Sequence, residues 1–206
     1  MSVVEGGPVT TGLVQRVQNI LLRPKDEWVV IDGEPATPAG LMTGYACILA
    51  VIPAVAGFLG QFLITHSLIG GAIFAVLGYA LSLAAVFVES IIINALASSF
   101  DAAPNPTQAL KAAVYANTAA WVAGVANIIP VLGGLIALAG FAYSCYLLYL
   151  GLAVVMKAPT EKAVGYTAVS IIAYIVLFGI AFWVTAAVVG MVIASAAIAT
   201  SAVMLH

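Results

Sequence analysis

At 206 residues, 64% hydrophobic and only 7% charged, with a mean hydropathy of +1.18, the chain is large enough for one domain and far too apolar for a soluble one. A net charge of −2 with six scattered Lys and Arg excludes a nucleic-acid footprint. The apolar runs are continuous rather than alternating over segments of about 10 residues, which excludes a β-barrel and leaves an all-α polytopic membrane bundle.

Residues 1–9, with Gly6, Gly7 and Pro8, read as a disordered tail, and Thr10 or Thr11 can cap the helix that follows. From Leu13 the positions Leu13, Val17, Ile20 and Leu21 keep helical spacing, with Gln15, Arg16, Gln18, Asn19 and Arg23 on the other side. Such a helix lies in the headgroup boundary of the membrane or packs on the protein's own loops. Pro24 breaks it and can start a second, in which Lys25, Asp26, Glu27 and Trp28 form an amphipathic ring suited to the interface. Glu34, Pro35, Thr37 and Pro38 make an extended connector, so residues 1–40 form an N-terminal tail and 41–206 a transmembrane bundle. The first uninterrupted apolar run begins only near Leu41, so no signal peptide is expected.

Five apolar segments follow, at about 41–65, 68–98, 112–129, 131–156 and from 163 onward. With five crossings and the N-terminus inside, Arg16, Arg23, Lys25, Lys111, Lys157 and Lys162 all fall on the cytoplasmic side, while the outer turns near His66 and Pro130 carry no base. The third segment is short, roughly 27 Å of helix. A re-entrant loop there would put Lys157 and Lys162 outside, so a full crossing is expected. The last segment reads as one crossing with an outer or re-entrant extension, or as two crossings, with Gly190 the only candidate break. Its stripe Ala186, Gly190, Ala194 would let another backbone approach closely, within the chain or between copies.

Glu89 is the only acid well inside a membrane segment. Counted from Asp101 it lies roughly 18 Å in. An ionised side chain at the bilayer centre costs about 2.5 to 3.5 kcal/mol, so Glu89 is expected to be protonated, paired or facing water. The same depth counting brings Trp121, Tyr146 and Tyr174 to its level, and their N–H and O–H groups can donate to a carboxylate. These four form a candidate polar layer, set against the plainer reading in which Glu89 makes one hydrogen bond that locks helix packing. Asn94, Asn117 and Asn127 are a second polar group, suited to bonds between helices. Tyr45, Tyr115, Tyr149 and Tyr166 fall near the cytoplasmic boundary as an aromatic belt. Cys47 and Cys145 sit in apolar runs without a C-x-x-C spacing and read as packing residues. Without H-E-x-x-H, G-x-S-x-G or a Gly-rich phosphate loop, the residues point to no enzyme, no cofactor and no metal.

Taken in order, Arg23-Pro24-Lys25-Asp26-Glu27-Trp28, Glu34-Pro35-Ala36-Thr37, Thr43-Gly44-Tyr45, Ile52-Pro53, Leu96-Ala97-Ser98-Ser99-Phe100, Gln108-Ala109-Leu110-Lys111, Tyr115, Trp121-Val122-Ala123-Gly124, Ile129-Pro130 and Tyr146-Leu147-Leu148-Tyr149-Leu150-Gly151-Leu152 resemble the bacterial branch of the Yip family. That family is named for eukaryotic members that interact with Ypt/Rab GTPases. The resemblance implies five transmembrane helices and a cytoplasmic N-terminus, with a role in membrane organisation or trafficking for eukaryotic members and no settled activity for bacterial ones. Together with the absence of catalytic sets it leads to the expectation of a non-enzymatic scaffold in the inner membrane, partnered by the lipid bilayer, by further copies or by other membrane proteins. The acidic, Tyr- and Pro-containing motif of eukaryotic members has no counterpart here, which leaves a GTPase partner unsupported. A small proton- or cation-linked transporter using Glu89 is the alternative.

Overall fold

The structure is a computed structural model that describes residues 12–204; the tail at 1–9, the caps Thr10 and Thr11, and His206 lie outside them. The described residues are all-helical. The elements are α1 (Leu13–Leu22), α2 (Pro24–Gly33), α3 (Pro38–Leu41), α4 (Cys47–Thr65), α5 (Leu68–Leu96), α6 (Pro106–Ala116), α7 (Thr118–Ala123), α8 (Pro130–Val155) and α9 (Thr160–Met204). A π-helical turn over Met42–Ala46 joins α3 to α4, and 3-10 turns extend α5 and α7. Among the described residues, four helices are long and apolar enough to cross a membrane: Pro38–Thr65, Leu68–Phe100, Leu132–Val155 and Thr160–Ser195.

The third apolar segment is not one of them, because it is helical in pieces. Asn105 caps α6 by accepting from the Thr107 and Gln108 amides, with Pro106 at the first helical position. The helix ends where Asn117 and Thr118 bond back to the Ala113 and Tyr115 carbonyls, side-chain competition that weakens a helix from within. After α7 the chain tightens into the 3-10 turn Gly124–Ile128, clamped from both sides by glycines. A Cβ at Gly60 of α4 would come 2.3 Å from the Asn127 carbonyl oxygen, and one at Gly133 of α8 2.3 Å from that of Ala126. Only glycine allows backbones this close.

For the last segment the structure removes the two-crossing alternative and the break at Gly190. α9 is one uninterrupted helix through Gly190, about 67 Å long at 1.5 Å per residue, so it cannot cross twice. It lies antiparallel along the whole of α5, with Gly165 facing Phe100 at one end and Ile193 facing Gly70 at the other. Nothing lies within 4 Å of a Cβ built at Gly190, so the small-residue stripe is not packed against the chain there.

Burial is uneven along the bundle. Large apolar side chains are exposed on α4 from Ile48 to Ile64, on α8 from Leu132 to Leu138 and on α9 from Ile172 to Met191, a belt comparable to the roughly 30 Å of a hydrocarbon layer. The main core lies at the opposite end, where the Lys and Arg residues are, and is called the charged end below. Ala109 through Ala119 are buried without interruption, enclosed by α5, α8 and the N-terminal helices.

Of the two readings of the first helix, the structure favours packing on the protein itself: α1 and α2 form a hairpin docked on the bundle. Trp28, expected at the interface, is fully buried, and a Cβ at Gly151 would come within 2.7 Å of its indole. Tyr45, Tyr115 and Tyr166 are likewise buried instead of forming a belt. The Tyr45 hydroxyl meets Thr118 Oγ1 at 2.8 Å, and the Tyr166 hydroxyl donates to the Ile93 carbonyl. A belt and a core use the same residues in sequence, because Tyr suits any place with one wet and one dry side.

Candidate functional site

Glu89 points inward from α5 and is 2% exposed. Its hydrogen-bond partner is Asn117, whose Nδ2 donates to Oε2 at a long 3.4 Å and to the Ala113 carbonyl at 2.9 Å. The break after α6 thus serves the site, since it turns the Asn117 side chain toward α5. Beside the carboxylate lies a cavity of about 20 Å³, lined among others by Asn117, Ser144, Cys145 and Tyr174. That is room for one water. Ser144 Oγ accepts from the Ala120 amide at 3.1 Å, which leaves its proton to donate elsewhere.

Of the expected polar layer, the structure gathers Glu89 and Tyr174 around this cavity and adds Asn117 from the second group. Trp121 is buried on α7 but does not line the cavity. Tyr146 is 40% exposed and lies against the Tyr143 ring at 5.7 Å, pointing away from Glu89. Depth alone grouped these residues, and depth leaves rotation about the helix axis free. Asn94 is half-buried with its Oδ1 unpartnered, and the Asn127 carbonyl sits against Gly60. The described residues hold no cluster of three His, Cys, Asp or Glu suited to a metal.

The register of the helices also places Glu89 relative to α4. Tyr79 donates to the Cys47 carbonyl at 3.0 Å and Phe74 packs on Gly57, so α4 and α5 run antiparallel. Ten residues further along α5, about 15 Å, brings Glu89 level with the first turns of the preceding span at Pro38–Leu41. On α5 itself Phe87, Val88 and Ile91 are exposed close on either side of it, so the exposed apolar surface continues past Glu89 on that helix.

A second constellation, at that end, was not anticipated. Arg16 is 4% exposed; its guanidinium donates through one nitrogen to Glu27 and through the other to Glu34, and it lies 5.7 Å from the centre of the Tyr115 ring. Burial pulls its pKa down, but the hydrogen bond to Glu34 and the nearby charges of Glu34, Tyr115 and Glu27 outweigh this and hold it above the ordinary arginine value. Lys111 reaches the carbonyls of Ile31 and Glu34, each at 2.7 Å, and so satisfies the end of α2. Burial lowers its pKa, with Asp32 and Glu34 opposing and Arg16 adding to the shift. Gln108 donates to Asp32 at 3.0 Å, and Lys157 pairs with the same carboxylate. The signal for Arg16 was in the sequence, since Leu13, Arg16 and Ile20 follow one another at helical spacing and place the arginine within the apolar stripe.

Around this module opens a cleft of about 320 Å³, lined by Asp32, Glu34, Asn105, Thr107, Gln108 and Lys111 among others. The Gln108 Oε1 is shut off from solvent and has no hydrogen-bond partner among the described residues. A family model, the Yip1 domain, matches residues 19–182. The chain belongs to that family. The match takes in α2, the cleft, Glu89 with its cavity and the first half of α9, which makes this Yip1-domain chain a multi-pass membrane protein. Arg16 and the far part of α9 lie outside the matched residues. Neither a curated protein nor a solved structure matches the chain.

Proposed function

We propose that this Yip1-domain protein is a non-enzymatic scaffold or adaptor of the bacterial inner membrane, with the charged end cytoplasmic. The observation that carries the reading is the cleft at that end. It is polar, it lies between helices locked through Arg16, Trp28 and Lys111, and Asn105, Thr107 and Gln108 run along its wall. Preorganised polar surfaces of this kind recognise a partner with little ordering cost. Five crossings fit the geometry, with the broken third segment as one of them. It runs from Lys111 beside α2 to Asn127 against Gly60, close to the far end of α4. A photo-crosslinker placed at Thr107 in native membranes is expected to give a discrete adduct that Asn105→Ala/Gln108→Ala abolishes. An adduct pattern indifferent to the double substitution would count against the cleft as the recruiting surface.

The buried Glu89 beside a water-sized cavity favours a second reading, a proton- or cation-linked role. The cavity holds about one water, which suits a site more than a passage. In proteoliposomes, Glu89→Gln should leave flux at the level of empty vesicles and equal to wild type if the adaptor reading holds. Flux in wild type that the substitution removes would transfer the assignment to transport.

A further inference from the structure

All six Lys and Arg of the chain fall on described residues, and four of them are engaged. Arg16 pairs with Glu27 and Glu34, Lys111 is held by backbone carbonyls, Lys157 pairs with Asp32 and Lys162 with Asp101. The remaining two, Arg23 and Lys25, make no ion pair among the described residues, and both sit at the tip of the α1–α2 hairpin. They are exposed, and so is their neighbour Leu22, at 78%.

The tip has a defined place in the bundle. The Tyr143 hydroxyl donates to the Leu21 carbonyl at 2.7 Å. On α8, Tyr143 marks the transition from the exposed apolar run ending at Leu138 to the buried Leu147 and Leu148. The hairpin tip therefore lies beside the end of the exposed apolar run of α8, the height assigned here to lipid headgroups. An exposed leucine followed by two bases that make no ion pair among the described residues matches a headgroup layer in both polarity and charge.

We propose that Leu22, Arg23 and Lys25 form a binding site for anionic phospholipid headgroups, with Leu22 in the acyl boundary and the two cations on lipid phosphate. Asp26, exposed one position beyond Lys25, is the opposing charge and tempers the attraction. The inference is independent of whether the cleft recruits a protein.

The test is native mass spectrometry of the full chain in detergent with phosphatidylglycerol or phosphatidylcholine added, alongside its melting temperature. Wild type is expected to retain phosphatidylglycerol on the order of tenfold better. Arg23→Gln/Lys25→Gln should abolish the preference without lowering the melting temperature, and Asp26→Asn should increase it. Equal retention of the two lipids by wild type, or a preference that survives in the double variant, overturns the proposal. Should the double variant melt early, salt on the wild type decides. A preference that fades toward molar salt supports the site, and one indifferent to salt overturns it.

Discussion

Trp28→Ala is expected to destabilise the protein by about 3 to 5 kcal/mol, as truncation of a fully buried tryptophan does when its surroundings relax only partly. Trp28 is among the largest wholly buried side chains in the molecule, and it joins the N-terminal hairpin to α8 through Gly151 and to α6 through an edge-on contact with Tyr115, 6.3 Å between ring centres. The loss should be local in its first effect. Hydrogen exchange over residues 13–33 should rise well before α5 and α9 open, because those two helices pack along their length without the hairpin. Gly151→Leu should release the same segment from the opposite side, since even a Cβ there meets the indole. Unchanged exchange in both variants would mean that the hairpin is held by something other than this contact.

Arg16→Met should cost about 3 kcal/mol or more, for a different reason. Arg16 is the salt-bridge partner of the buried Glu27 and pairs with Glu34 as well. Removing it leaves Glu27 as an uncompensated charge in a desolvated site, and that penalty exceeds what the ion pair contributed. The double variant Arg16→Met/Glu27→Leu is therefore expected to be more stable than Arg16→Met alone, which chemical or thermal unfolding of the four members of the cycle in detergent would measure. Added salt should change wild-type stability little, because the pair is shielded from solvent. A double variant weaker than either single change would show that the carboxylate is needed for more than charge balance.

Both effects fall in a part of the molecule that the sequence described only coarsely. The helices themselves were legible. Pro24, Pro38, Pro106 and Pro130 each stand at a first helical position, and the apolar runs set the long spans. The two amphipathic helices were legible as helices, but their target was not. A stripe of Leu13, Val17, Ile20 and Leu21 has the same polarity whether it meets lipid or protein, and Trp28 is equally at home in either. The candidate site divides in the same way. Glu89 stood out because an acid in an apolar run is rare, and Tyr174 came with it. Tyr146 and Trp121 shared its depth but not its azimuth, and Asn117 joined it through a helix break caused by side chains that bond back to their own backbone.

The sequence by itself determined the class of protein, the end of the bundle that carries charge, and the presence of one acid that the membrane must accommodate. Apolar length and the position of Lys and Arg answer to the bilayer, a solvent with one fixed thickness and one charge bias, so a linear reading suffices. Only the tertiary structure decided that the N-terminal hairpin closes over α6 and α8, that Arg16 and Lys111 are spent inside while Arg23 and Lys25 are left outside, and that Glu89 meets Asn117 beside a water-sized cavity. These depend on rotation and register between helices, set by the close approach of glycines and by the pairing of charges far apart in the chain.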